Sequence, residues 1–165
     1  YADVREATAD EVQEKEERQA SKIKHFADRL NFDADELPAL LGDAYDHEHW
    51  EELEERCFAC GSCTNVCPTC YCFNVVDEVN FALTEGERIR HWDSCQLAEF
   101  ARVAGGENFR EDRGARQRHR FLRKGKYLYE RFGALGCVGC GRCIRTCPAS
   151  ISILKGFNTI HASLR

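Results

Sequence analysis

The chain has 165 residues, of which 43% are hydrophobic and 31% charged, and a formal net charge of -5. That size suits one or at most two small domains. No run approaches the roughly 18 apolar residues of a membrane-spanning helix, and the negative balance weighs against a nucleic-acid binder. The charge is divided: 18 acidic residues face 7 basic ones up to Arg56, and 10 face 16 from Cys57 onward. An acidic arm therefore precedes a basic body. The chain starts at Tyr1 rather than Met and shows no charged-then-apolar leader, which reads as a processed, cut or partial chain of cytoplasmic origin.

Residues 2–30 are rich in Ala, Glu, Gln, Lys and Arg and lack Gly and Pro, which predicts a helix. Its apolar positions Val4, Val12, Ile23, Phe26 and Leu30 are sparse. Residues 1–34 therefore read as a solvated helical arm, or as a connecting arm lying on a partner. Asp35-Glu36 opens a short helix through Leu37, Leu40 and Leu41 that closes near Gly42. Asp46 caps a second through Trp50 and Leu53 that runs into Cys57. Residues 73–84 are apolar but too short for assignment. Trp92 to Val103 predicts a helix burying Leu97, Phe100 and Ala101, broken by Gly105-Gly106. Residues 116–132 predict a long basic helix with Phe121, Leu122, Leu128 and Phe132, and Ile151 to Leu154 suits strand or helix equally.

Eleven cysteines dominate the chemistry, and eight of them form two runs of one form. Cys57, Cys60, Cys63 and Cys67-Pro68 spell C-x2-C-x2-C-x3-C-P, and Cys137, Cys140, Cys143 and Cys147-Pro148 repeat it eighty positions later. This is the spacing of bacterial two-cluster ferredoxins, in which the fourth cysteine of each run ligates the other cluster. Three cysteines at i, i+3 and i+6 on a loop can reach three iron corners of one cubane, while the fourth points away. The assignment is then Cys57, Cys60, Cys63 and Cys147 for cluster I, and Cys137, Cys140, Cys143 and Cys67 for cluster II, both [4Fe–4S]. Gly61, Gly139 and Gly141 suit loops that need positive φ and close backbone approach. Pro68 and Pro148 pre-set the exit turn. Zinc sites instead group cysteines in separated pairs, and a disulfide framework needs an oxidising compartment.

Cys70, Cys72 and Cys95 lie outside both runs. They read as buried small hydrophobes, as a third metal site lacking one ligand, or as a redox-active thiol pair. The basic stretch 110–131 reads as compensation for cluster charge or as a docking face for an acidic partner, with nucleic-acid binding as the remote alternative. The six histidines form no metal motif, and His47-x-His49 reads as surface. No Walker A loop, G-x-S-x-G or G-x-G-x-x-G fingerprint occurs, so the chain itself is not expected to bind nucleotide or flavin.

Five strings carry a resemblance: Cys-Pro-Thr-Cys-Tyr-Cys (67–72), Trp-Asp-Ser-Cys (92–95), Ala-Gly-Gly-Glu-Asn-Phe-Arg (104–110), Arg-Gln-Arg-His-Arg (116–120) and Cys-Val-Gly-Cys-Gly-Arg-Cys-Ile (137–144). From about residue 35 to 154 the chain resembles the dicluster iron–sulfur subunits of anaerobic redox complexes. These include the beta subunit of sulfhydrogenase-type nickel–iron hydrogenases and the iron–sulfur subunit of anaerobic sulfite reductase. The resemblance implies a relay without catalysis of its own. Such a relay passes single electrons between an FAD- and NAD(P)-binding subunit on one side and, on the other, a catalytic subunit of hydrogenase or sulfite/sulfur reductase type. A heterodisulfide-reductase-type subunit, a free ferredoxin-like carrier and a DNA-binding redox sensor are the competing readings. Any third cluster would share a ligand from a further N-terminal segment or a partner. The 69 residues between Cys67 and Cys137 exceed what a small β-rich ferredoxin needs. The expected fold is thus mainly α: a helical ferredoxin-like dicluster domain over residues 35–165 behind the helical arm.

Overall fold

The computed structural model describes residues 4–165; Tyr1, Ala2, Asp3 and the side chain of Ile23 lie outside the described part. The chain divides into two units, Tyr1–Leu30 and Asn31–Arg165. In the first, helix α1 covers Ala9–Lys24, shorter than the predicted 2–30. Thr8 and Glu11 exchange capping bonds, Glu11 N–H to Thr8 Oγ1 at 3.3 Å and Thr8 N–H to Glu11 Oε2 at 2.9 Å. The described side chains of α1 are exposed throughout, Val12 included. With no buried face to extend it, propensity alone holds only these turns.

The second unit begins with a short 3-10 turn, Ala34–Glu36, closed by a capping box between Asp33 and Glu36. Helix α2 follows over Leu37–Asp43, with Pro38 in its first turn and Leu37, Leu40 and Leu41 buried, as the leucine spacing predicts. Helix α3, His49–Arg56, buries His49, Trp50 and Leu53. Asp46 does not cap it; Glu48 holds that position without a side-chain bond. The surface assignment of the His47-x-His49 pair is also corrected: His49 is buried, bonded to Glu52 Oε2 at 2.8 Å and edge-on to Phe121.

Between the two cysteine runs, where a mainly helical link is expected and residues 73–84 carry no assignment, the chain begins with a hairpin. Phe73–Val79 (β1) and Gly86–Trp92 (β2) pair as an antiparallel hairpin, Phe73 opposite Trp92 and Val79 opposite Gly86. Val75, Val76 and Val79 favour the pleat, and Asn80 closes the turn by accepting Thr84 N–H at 3.0 Å. The helix expected over Trp92 to Val103 is likewise replaced, its start by the end of β2 and its middle by a 3-10 turn, Ala98–Ala101. Leu97 is exposed, and Phe100 and Ala101 are half-buried. Side chains divert the backbone here: Ser94 N–H bonds Asp93 Oδ1 at 2.7 Å, Gln96 N–H bonds Ser94 Oγ at 3.1 Å, and Gln96 Nε2 reaches Arg116 O at 3.0 Å. Such local bonds compete with a helical ladder.

The long basic helix is observed as three consecutive segments: α5 (Arg113–Leu122), a π-helical turn (Arg123–Tyr127) and α6 (Leu128–Phe132). Phe121, Leu122 and Leu128 are buried, but Phe132 is exposed. The C-terminal stretch resolves as helix α8, Ile153–Leu164, capped by Ser152, whose hydroxyl accepts Lys155 N–H at 3.2 Å. Single-turn helices α4 (Ser62–Asn65) and α7 (Arg142–Arg145) lie inside the two cysteine runs and pack on each other. The core is therefore helical, with α2, α3, α5 and α8 around Phe121, and the hairpin is the departure from a mainly α fold. Among the described residues no helix is long and apolar enough to cross a membrane.

Candidate metal centre

The two cysteine runs adopt one backbone form. Cys57 leaves α3 in an extended conformation. The chain then takes positive φ at Ala59 (52°) and Gly61 (76°), makes the single turn α4, and returns Cys67 N–H to Thr64 O. In the second run Gly139 (65°) and Gly141 (69°) occupy the same places, followed by α7 and a bond from Cys147 N–H to Ile144 O. The three glycines singled out from sequence thus stand in the left-handed region, where a side chain is strained. Ala59 accepts that strain where its counterpart is glycine.

One narrow cavity of about 20 Å³ is bordered by Cys57, Cys60, Cys63 and Cys147, so the last cysteine of the second run stands with the first three of the first. Burial pushes the Cys63 thiol up to about 11 against the pull of Arg120, and neighbouring Cys57, Cys143 and Cys147 add to the rise. Burial also raises Cys137, with Cys143 and Cys67 as like-charged neighbours and Lys124 opposing them. Cys67 is thus an electrostatic neighbour of Cys137 and Cys140. Donors already aim at the sulfurs: Gln117 Nε2 to Cys57 Sγ at 2.9 Å, Ala59 N–H to Cys57 Sγ at 3.3 Å, and Ile151 N–H to Cys147 Sγ at 3.3 Å. None of the eleven cysteines is joined in a disulfide.

Arg120 is the electrostatic centre. Its side chain is only 4% exposed, and among the described residues no carboxylate pairs with it. Its Nη1 bonds Gln117 Oε1 at 3.1 Å. Burial opposes its charge, but Cys63, Cys143 and Cys95 together hold its pKa above the ordinary value. A buried cation without a counter-charge is costly, so this position calls for anions, and thiolates ligating iron would supply them. The donor set, the crossed convergence and the buried cation all fit iron–sulfur clusters.

Lys124 adds a second cation. The π-helical turn frees its carbonyl, which accepts Gly136 N–H at 2.9 Å, while Nζ bonds Thr69 Oγ1 at 2.7 Å beside Cys67. The cations inside the second run are placed less deeply. Arg142 and Arg145 are exposed, although the Arg142 backbone and side chain hold the Cys140 thiol below its usual value. Gln117, Arg120 and Lys124 are functional residues that the cysteine pattern does not point to. Their signal is positional: spacings of three and four put them beside Phe121 and Leu128 on the apolar stripe of the helix.

Cys70, Cys72 and Cys95 form a third group, with Cys95 an electrostatic neighbour of Cys63. Cys70 Sγ lies 3.5 Å from Cys72 Sγ, and a bond from Cys72 draws the Cys95 thiol below its usual value. Among the described residues no three His, Cys, Asp or Glu side chains are grouped tightly enough to hold a single metal ion.

Comparison with known proteins places the same region. The profile of the 4Fe–4S dicluster domain matches residues 56–151. The chain is 38% identical over 159 residues to sulfhydrogenase 2 subunit beta of Pyrococcus furiosus, an alignment covering 96% of this chain and 46% of that protein. The chain thus spans about half the length of the curated relative it matches. No solved structure matches it.

Proposed function

We infer from one premise, that this chain belongs to the 4Fe–4S dicluster domain family, that it is the iron–sulfur relay part of a sulfhydrogenase-type complex. Two [4Fe–4S] clusters are assigned to it, one on Cys57, Cys60, Cys63 and Cys147 and one on Cys137, Cys140, Cys143 and Cys67. When bound they would supply one-electron chemistry; this chain's residues would hold them and set the local charge. The partners proposed are an FAD/NAD(P)-binding subunit on one side and a catalytic redox subunit on the other. The single observation that carries the reading is the cavity bordered by Cys57, Cys60, Cys63 and Cys147. The exposed Val79, Phe81, Leu83 and Trp92 of the hairpin region suit a chain that works inside an assembly.

Cys57→Ala combined with Cys147→Ala tests the crossed ligation. If both residues serve one cluster, the anaerobically prepared double variant loses about four irons, one cubane. Uncrossed ligation would damage both clusters and remove about eight. Iron and inorganic-sulfide assays read the difference.

The two clusters are also expected to differ in potential. Lys124 neighbours Cys67 and Cys137, and Arg142 neighbours Cys140, whereas at the first group Arg120 acts on Cys63 but is shared with Cys143, and Arg113 reaches the Cys57 carbonyl rather than a sulfur. Cations favour the more negative, reduced state, so cluster II titrates at the higher potential. A potentiometric EPR titration that places cluster I clearly higher would refute the ordering.

A further inference from the structure

A cavity of about 340 Å³ opens on the other side of Arg120, far roomier than the space of about 20 Å³ between the four thiols. Cys70, Cys72 and Cys95 stand on its wall. The three are linked in series, Cys70 donating to Cys72 and Cys72 to Cys95. Arg110, Arg120, Arg123 and Lys124 line the same space, and no carboxylate does. Such a wall suits an anionic occupant. Nε of Arg110 is buried with no hydrogen-bond partner.

His119 completes the donor set. It lines the cavity, and no hydrogen bond to its ring is found among the described residues. A neutral imidazole offers one nitrogen lone pair to a metal.

We propose that Cys70, Cys72, Cys95 and His119 hold a third iron–sulfur cluster of the [4Fe–4S] type in this cavity. Three thiolates serve three irons, and the His119 imidazole serves the fourth. A small anion alone would need the cations but not three convergent thiols. A single metal ion would leave most of a cavity of about 340 Å³ unfilled. The proposal rests on the relay reading only for its purpose, not for its ligands. Cys95 and Cys63 are electrostatic neighbours, and Arg120 walls both cavities. The third cluster would therefore adjoin the first and lengthen the conducting path within one chain.

The test compares the complex purified anaerobically with wild-type chain and with Cys70→Ala, Cys72→Ala and Cys95→Ala combined. The wild type is expected to hold about four more irons and four more sulfides per chain than the triple variant, one cubane. Retention of the other clusters' EPR signals in that variant shows that the chain has folded. Equal iron in the two preparations overturns the third cluster. So does a metal analysis in which the difference is zinc. If iron is absent from both, the relay reading itself has failed, and the two failures are thus distinguishable. His119→Ala is expected to release the fourth iron as Fe2+, and one-electron oxidation of the remainder by added ferricyanide then gives the EPR signature of an oxidised three-iron cluster, with His119→Cys restoring full occupancy. An unchanged spectrum in His119→Ala overturns the histidine ligation.

Discussion

Replacing Arg120 by Met lowers the reduction potentials of the neighbouring clusters by an amount on the order of 100 mV. Arg120 is 4% exposed and faces Cys63, Cys143 and Cys95 without a carboxylate partner. A unit charge roughly 6 Å away, at an effective dielectric of about 20, is worth about 2–3 kcal/mol, which for one electron corresponds to about that shift. The sign follows from the chemistry: reduction adds negative charge, and a cation stabilises the product more than the reactant. Arg120→Lys retains the charge but loses the planar fork that holds Gln117 Oε1, so it should recover most of the potential. Arg118→Met serves as the control, because Arg118 stacks on Tyr45 at 4.1 Å and lies 3.8 Å from Asp46, an exposed carboxylate. Potentials in Arg120→Met that match wild type within about 20 mV would remove Arg120 from the electrostatics of the relay.

The same residue marks where sequence reading stops. The cysteine spacing identifies both loops, because ligand geometry is a local property and each run folds within twelve positions. The leucines of α2 are local in the same way. By contrast, the stretch 110–131 looks uniformly basic in sequence, yet its arginines have different fates. Arg113 bonds Cys57 O at 3.0 Å, Arg118 packs on a tyrosine, and Arg120 is buried between thiols. Only the packing of α5 decides among them. The hairpin is hidden for a different reason. Its residues are exposed on both faces, so no alternation of buried and exposed positions signals a strand. The expected helix from Trp92 fails because Asp93, Ser94 and Gln96 use their side chains to bind backbone, a competition that helical periodicity does not register.

Phe121→Ala is expected to destabilise the second unit by about 3–5 kcal/mol, the range for removing a fully buried aromatic ring. Phe121 has 0% exposure. It meets Trp50 at 5.4 Å and Phe157 at 5.2 Å between centroids, both edge-on, a favoured geometry for aromatic pairs. It thereby fastens α3 and α8 to α5, the helix that carries Gln117 and Arg120. The loss should appear both as earlier unfolding in denaturant and as earlier iron release, because a displaced α5 withdraws both polar side chains from the sulfurs. Gly156 supplies the internal check. A Cβ there would sit 2.4 Å from the Phe121 ring and 3.0 Å from His49 Nε2, so Gly156→Ala alone should cost about 1–3 kcal/mol by overpacking. Once Phe121 is alanine the ring's share of the obstruction is gone and only His49 Nε2 remains close, so the second substitution adds less than it does alone. A double-mutant cycle with strictly additive losses would mean that the ring and the glycine do not form one contact. A subadditive cycle, with iron release tracking unfolding, ties the aromatic core to the metal site through a single helix.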